Sequence, residues 1–134
     1  MRRFLSAACV IGMLGLGGPV AAEPQAIKST IAGQVDAFLN DDLDRAFGFA
    51  APSIKRLFGN SANFGRMVRE GYPMVWRPAE MTFGKLHIAE GKTIQTVFFT
   101  DAAGRVFEAA YEMVETGAGW QINGVYIREA DLGA

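Results

Sequence analysis

The sequence is poor in cysteine and histidine, and this scarcity excludes several kinds of site. It holds one histidine and one cysteine among 134 residues. An intrachain disulfide needs two cysteines, and structural zinc sites are built from four Cys or His ligands. The carboxylates do not indicate a metal site either, because the cluster Asp41, Asp42 and Asp44 lacks the spaced ligands and the glycine of a calcium loop. We therefore expect no metal site and no cofactor.

The chain also lacks an excess of positive charge. Thirteen basic and fourteen acidic residues give a net charge of −1. A nucleic-acid-binding domain carries a basic stripe that neutralises phosphates, and a peripheral membrane protein often carries a basic patch. Neither a nucleic acid nor a membrane surface is therefore an expected partner.

The N-terminus has the pattern of a cleavable secretory signal peptide. Arg2 and Arg3 precede an apolar run over residues 4–18, and small residues follow up to Ala22. The run is short for a membrane span, so a retained anchor is disfavoured. Lipid attachment at Cys9 is disfavoured too, because no aliphatic residue stands three places upstream. We expect cleavage after Ala22, which leaves no membrane anchor.

Cleavage at that point divides the chain into residues 1–22, the signal peptide, and residues 23–134, one domain. The only cysteine leaves with the signal, so the domain must fold in an oxidising compartment without disulfides. A domain of this size can fold on hydrophobic burial alone.

The first half of the domain shows a helical period. One apolar stripe recurs at intervals of three and four residues: Ile27, Ile31, Val35, Phe38 and Leu39. The spacing predicts further helices over residues 43–50, 52–58 and 61–70. Two prolines then bracket residues 74–77, which we interpret as an extended connector.

The second half changes to the period of a strand. Four β-like runs cover residues 80–88, 92–100, 105–115 and 120–128, and short turns separate them. A shift of the apolar phase between Phe83 and Leu86 predicts a bulge near Gly84. The fold class expected is α+β, with N-terminal helices packed on a curved four-stranded antiparallel meander.

Two segments carry a family resemblance. Residues 63–78, NFGRMVREGYPMVWRP, and residues 119–125, GWQINGV, resemble the signature of a family of small exported bacterial proteins, the domain of unknown function 4864. The order of elements resembles the nuclear transport factor 2-like, cystatin-like cone. The family resemblance covers nearly all of residues 23–134 and implies a Gram-negative periplasm. The cone resemblance implies a cavity between sheet and helices, and neither resemblance implies an activity.

The stretch from Tyr72 to Pro78 is the strongest candidate for a binding site. Tyr72, Met74 and Trp76 alternate along it, and the two prolines restrict its backbone. Tyr111 and Tyr126, on the third and fourth strands, are further candidates for the lining of an aromatic pocket.

An anion clamp at the mouth of that pocket is the sharper hypothesis. Arg77 follows an aromatic residue on which its guanidinium can stack, and Arg66 and Arg69 share a helix face upstream. The alternative is structural: Trp76 closes the open end of the sheet, and Arg77 pairs with Glu80.

Catalysis has weaker support in the residues. His87, the only histidine, is predicted near a strand end facing solvent. Three tyrosines can supply a phenol, but no carboxylate stands out as their partner base. A Ser or Cys nucleophile in a Gly-x-Ser-x-Gly elbow is absent from the sequence.

Three functions remain open at this point. The first is non-catalytic binding of a small, partly apolar ligand or of a periplasmic protein. The second is a lyase or isomerase that uses a pocket tyrosine with one carboxylate or His87. The third is an interaction module, a possible homodimer formed through the outer face of the sheet, with Val97, Phe99, Val125 and Ile127 exposed.

Overall fold

A computed structural model describes residues 23–130, in which five helices precede four strands. The helices are α1 (Pro24–Leu39), α2 (Leu43–Gly48), α3 (Pro52–Phe58), α4 (Ser61–Gly71) and α5 (Pro73–Trp76), and the strands are β1 (Glu80–Ala89), β2 (Lys92–Thr100), β3 (Val106–Thr116) and β4 (Gly119–Glu129). The α+β class is confirmed. The predicted signal peptide lies outside the described residues. Within them, no helix is long and apolar enough to cross a membrane.

Helix α1 forms because its apolar residues fall on one stripe. Ile27, Ile31, Val35 and Phe38 are all buried, and Pro24 occupies the first turn, where its missing N–H costs nothing. The helix ends at Leu39 with Asn40 as its C-cap, and Asp41 follows with a φ of 56° in the left-handed region.

The four strands pair in sequence order as an open antiparallel sheet. Glu90 and Gly91 join β1 to β2 with φ values of 53° and 78°, as a two-residue type I′ turn requires. The register of β1 on β2 shifts between Phe83 and Leu86, which confirms the predicted bulge.

One face of the sheet, the inner face, packs against the helices. Phe107, Ala109, Tyr111 and Met113 alternate onto it and are buried, as the sequence predicts. Val97 and Phe99 also lie on this face, each 0% exposed, so the expectation that they lie on an exposed outer face is wrong. Residues 97–99 are all apolar, so the sequence does not show which of them face the core. The pairing of β2 with β3 places Val97 and Phe99 on the inner face.

A second bulge lies between β3 and β4. Glu112 pairs with Gly124 and Met113 pairs with Ile122, so Asn123 is the extra residue. The extra residue reverses the phase of the strand beyond it. Tyr126 therefore leaves the face of Ile122, where simple alternation places it, and is 62% exposed on the outer face.

The segment after α4 is helical where the sequence predicts an extended connector. Pro73 begins α5, and Val75 on that helix is buried against the core. Proline is favoured at the first position of a helix, where Pro73 stands, and it is unfavourable further along, so Pro78 does not continue the helix. The two prolines therefore delimit a single helical turn.

Candidate functional site

A cavity of about 380 Å³ lies between the helices and the C-terminal half of the sheet. Helices α1, α3 and α4, the α4–α5 junction and strands β3 and β4 all contribute to it. The lining residues are Gln34, Phe38, Ala50, Ile54, Leu57, Phe58, Phe64, Met67, Val68, Tyr72, Val75, Tyr111, Ile122, Asn123, Gly124, Val125 and Tyr126. The volume is within the range of small-molecule sites in proteins.

The cavity has a buried floor and an apolar rim. Phe38 and Tyr111 on the floor are 0% exposed, whereas Leu57 on α3 is 72% exposed and Tyr126 on β4 is 62% exposed. Two large apolar side chains on a rim remain in contact with water unless something covers them.

Helix α3 and strand β4 are fastened to each other beside this rim. The N–H of Ala51 donates to the carbonyl of Ile122 at 2.8 Å, and the N–H of Ile122 donates to the carbonyl of Phe49 at 2.9 Å. The hydroxyl of Ser53 donates to the Asn123 side chain. The three bonds hold the start of α3 beside the bulge of β4.

None of the described residues that line the cavity carries a charge. The Tyr111 hydroxyl is enclosed without a hydrogen-bond partner among the described residues, and burial raises the pKa of this phenol. The Gln34 side-chain amide donates to the carbonyl of Ala46 at 3.1 Å. The site is thus apolar, with amide and phenol groups as its polar elements.

The structure brings together some of the predicted binding residues. Tyr72, Tyr111 and Tyr126 all line the cavity, although Tyr126 does so from the rim. Met74 and Trp76 are half-buried on the core side of α5 and are not among the lining residues. Trp76 packs on Phe38, with 5.5 Å between ring centroids.

Arg77 holds α1 to α5. Its guanidinium lies 4.6 Å from the centroid of the Trp76 ring, as the sequence predicts for a stacked arginine. It donates to the carbonyl of Phe38 at 2.6 Å and to the carboxylate of Asp41 at 2.7 Å. Its acidic partner is therefore Asp41 rather than Glu80.

Arg66 and Arg69 lie on the exposed surface of α4. Arg66 donates to the side chain of Asn63 at 2.9 Å and, with Glu70, lines a shallow groove outside the cavity. Because Arg77 is held against α1 and Arg66 against its own helix, an anion clamp that joins them stays a prediction without support in the observed contacts.

Replacing Arg77 with alanine is expected to lower the free energy of unfolding by about 2 kcal/mol, because a charged hydrogen bond to a backbone carbonyl and a cation–π contact are lost. Urea unfolding followed by circular dichroism measures the change. Arg66→Ala serves as the control and should stay within about 0.5 kcal/mol of the parent. Equal stability of the two variants would show that the Arg77 contacts contribute nothing.

The histidine and the carboxylates considered as partners for a pocket tyrosine are not among the residues that line the cavity. His87 is exposed on the outer face, in a shallow depression that Lys85 and Glu108 also line. Glu112 is 8% exposed and does not line the cavity, and its carboxylate accepts from the Asn123 side chain at 3.0 Å. Within residues 23–130, no group of three His, Cys, Asp or Glu side chains is placed to hold a metal.

Sequence reasoning missed the α3 side of the site. Ile54, Leu57 and Phe58 line the cavity, yet the sequence identifies them only as part of a short helix. One signal was present: Ile54, Leu57 and Phe58 stand at i, i+3 and i+4, so they share one face of the short helix. The structure buries none of the α3 residues fully.

The comparisons with known proteins identify a family. The family model described as Domain of unknown function (DUF4864) matches residues 20–132. No curated protein and no solved structure matches the chain, so the cone-like resemblance stays a prediction. Because the family model spans the whole described domain, the chain belongs to the DUF4864 family.

Proposed function

We propose that this protein binds a small, uncharged, mostly apolar ligand in the cavity between α3, α4 and β4, as a non-catalytic protein of the periplasm. The observation that carries the proposal is a cavity of about 380 Å³ with no charged lining residue. The export pattern of residues 1–22 and the family resemblance support the compartment.

The energetics favour an apolar ligand. Burial of apolar surface contributes about 25 cal/mol per Å², and the exposed side chains of Leu57 and Tyr126 offer such surface at the rim. A charged ligand would lose its hydration on entering and would meet no lining residue of opposite charge. The cavity therefore selects against ions.

The same lining supports binding over acid–base catalysis. A general base must lie within hydrogen-bond reach of its substrate and must change protonation near the working pH. His87 lies on the opposite face of the sheet, and burial raises the pKa of Tyr111 away from neutrality. An interaction module that uses the outer face has less support, because all four residues expected there lie on the inner face. Val97 and Phe99 are buried, and Val125 and Ile127 oppose Tyr111 and Ala109 and pack against the core.

Filling the cavity is expected to abolish binding. Ile54 is half-buried on α3, and Ile54→Trp places an indole in the space that a ligand needs. We expect this variant to weaken binding of the neutral probe N-phenyl-1-naphthylamine at least about tenfold. Fluorescence titration of the purified protein measures the affinity.

Ile88→Trp is the matched control, because Ile88 is 63% exposed and does not line the cavity. This variant should bind the probe as the parent does. Native mass spectrometry of gently purified protein tests the proposal separately, through a reproducible small-mass adduct. Absence of both probe binding and an adduct would refute the proposed function.

A further inference from the structure

Helix α3 exposes apolar side chains at the mouth of the cavity. None of its residues is buried, although Ile54, Leu57 and Phe58 recur at helical spacing. Leu57 is the most exposed of the large apolar side chains in the described part of the chain, at 72%. A partner that covered this helix would remove that apolar surface from water, which is favourable.

Basic residues are concentrated on the same part of the molecule. Helices α3 and α4 carry four basic residues and one acidic residue, and their net charge is therefore +3: Lys55, Arg56, Arg66, Arg69 and Glu70. In contrast, loss of Arg2 and Arg3 with the signal peptide takes the net charge of the chain from −1 to −3. Net charge averages over the whole surface. The expectation of no membrane partner rests on that average and does not exclude a local basic patch.

The basic side chains of α3 and α4 have no acidic partner among the described residues. Five basic residues elsewhere in residues 23–130 each form an ion pair: Arg45, Arg77, Lys92, Arg105 and Arg128. Arg66 donates to the neutral side chain of Asn63 instead. The shallow groove outside the cavity is lined by Arg66 together with Leu57 and Phe58, and also by Glu70. Unpaired positive charge and exposed apolar surface are thus adjacent.

A surface that combines these two properties has a specific complement. The headgroups of anionic phospholipids attract Lys and Arg side chains, and the acyl boundary beneath them accommodates apolar side chains. A nucleic acid would neutralise the basic residues but would leave Leu57 in water. An uncharged protein surface would cover Leu57 but would leave the basic residues without counter-charges. The bilayer satisfies both requirements.

We propose that this protein docks reversibly on an anionic phospholipid bilayer through α3 and the adjoining surface of α4. Leu57 enters the acyl boundary, and Lys55, Arg56 and Arg66 contact the headgroups. The proposal goes beyond the proposed function and does not depend on it. Because Leu57 also lines the cavity, docking places the mouth of the cavity against the bilayer. An apolar ligand then passes between bilayer and cavity without crossing water.

The first test compares two kinds of vesicle by co-sedimentation with the purified protein. One is phosphatidylcholine alone, and the other contains equal parts of phosphatidylcholine and phosphatidylglycerol. We expect the partition coefficient to be at least about tenfold higher for the anionic vesicles, because each basic residue near the surface contributes to binding. High salt should remove the difference. Equal binding to both vesicles, or binding to neither, would overturn the proposal.

Protein variants locate the docking surface. Leu57→Gln and Arg56→Glu should each lower the partition coefficient on anionic vesicles at least about tenfold. Both residues are exposed, so the domain should keep its fold, which circular dichroism checks. Ile88→Gln and Lys85→Glu make the same chemical changes at exposed positions on β1 and should bind as the parent does. Equal losses in test and control variants would overturn the assignment to α3. Any effect of residues 1–22 cancels, because all variants share the parent's N-terminus.

Titration of N-phenyl-1-naphthylamine without vesicles separates this proposal from the proposed function. Arg56→Glu should bind the probe as the parent does, because Arg56 does not line the cavity. Probe binding by a protein that ignores anionic vesicles would overturn the docking proposal and leave the proposed function standing. A dimer that Leu57→Gln dissociates, without vesicle binding by the parent, would also overturn it and would assign this surface to a second copy of the chain. Vesicle binding without probe binding or a small-mass adduct would support docking and refute the proposed function.

Discussion

Phe38→Ala is expected to lower the free energy of unfolding of the domain more than any other single truncation considered for α1. Phe38 is 0% exposed, and its ring packs on Phe64 and Trp76 at centroid distances of 6.0 and 5.5 Å. Truncating a buried phenylalanine costs about 3–5 kcal/mol, which is a large part of the 5–15 kcal/mol that stabilises a typical domain. Thermal unfolding followed by circular dichroism measures the loss.

The neighbouring residue supplies a matched control. Leu39 is on the same helix and is 47% exposed. Leu39→Ala should cost less than half as much as Phe38→Ala, because about half of the leucine surface already faces water and a smaller side chain is removed. Equal losses would mean that the packing of α1 on α4 and α5 is not what stabilises the domain.

Alkaline pH is expected to unfold the protein through Tyr111. Burial raises the pKa of this phenol above its ordinary value of 10.0, so the folded state keeps the proton and the unfolded state releases it. Stability is therefore unaffected by this group below pH 10 and falls as the pH rises above 10. The slope is about 1.4 kcal/mol per pH unit from this one side chain.

Tyr111→Phe removes the ionisable group and keeps the ring that packs on Phe99. The variant should lose less stability than the parent between pH 10 and 11.5, measured by urea unfolding at each pH. It should also be at least as stable at pH 7, because an unpaired buried hydroxyl has been removed. Parallel curves for the two proteins would show that Tyr111 ionises without unfolding the domain.

Local sequence patterns predict the elements of this fold well, because the pattern and the structure have the same period. The stripe from Ile27 to Phe38 places the buried face of α1 correctly. The phase shift between Phe83 and Leu86 places the first bulge. In both cases the signal lies within a few consecutive residues, so no distant contact is needed to interpret it.

Apart from α5, where the local role of Pro73 was misjudged, the errors occur where a residue distant in the sequence determines the contact. The face of Val97 and Phe99 depends on which neighbours β2 pairs with, and the sequence run at 97–99 is apolar on both phases. The acidic partner of Arg77 is 36 positions away in Asp41, whereas proximity in sequence suggests Glu80. Such partners are a property of the tertiary structure.

The candidate site shows the same division. The three tyrosines are predicted from their residue type, and all three line the cavity. The contributions of Ile54 and Val125 depend on the docking of α3 beside β4 and on the extra residue at Asn123. The hydrophobic periodicity of a strand or a helix does not reveal either contribution, because both depend on tertiary contacts.

The contact between the first helix and the last strand has a consequence for the order of folding. The hydroxyl of Thr30 donates to the carbonyl of Trp120 at 3.0 Å, across a separation of 90 positions. A chain synthesised from its N-terminus therefore cannot bury α1 until almost all of it is available. Long-range closure of this kind slows folding and prolongs the exposure of apolar surface. Residues 23–58 should thus behave as a nascent chain that needs protection from aggregation until β4 arrives.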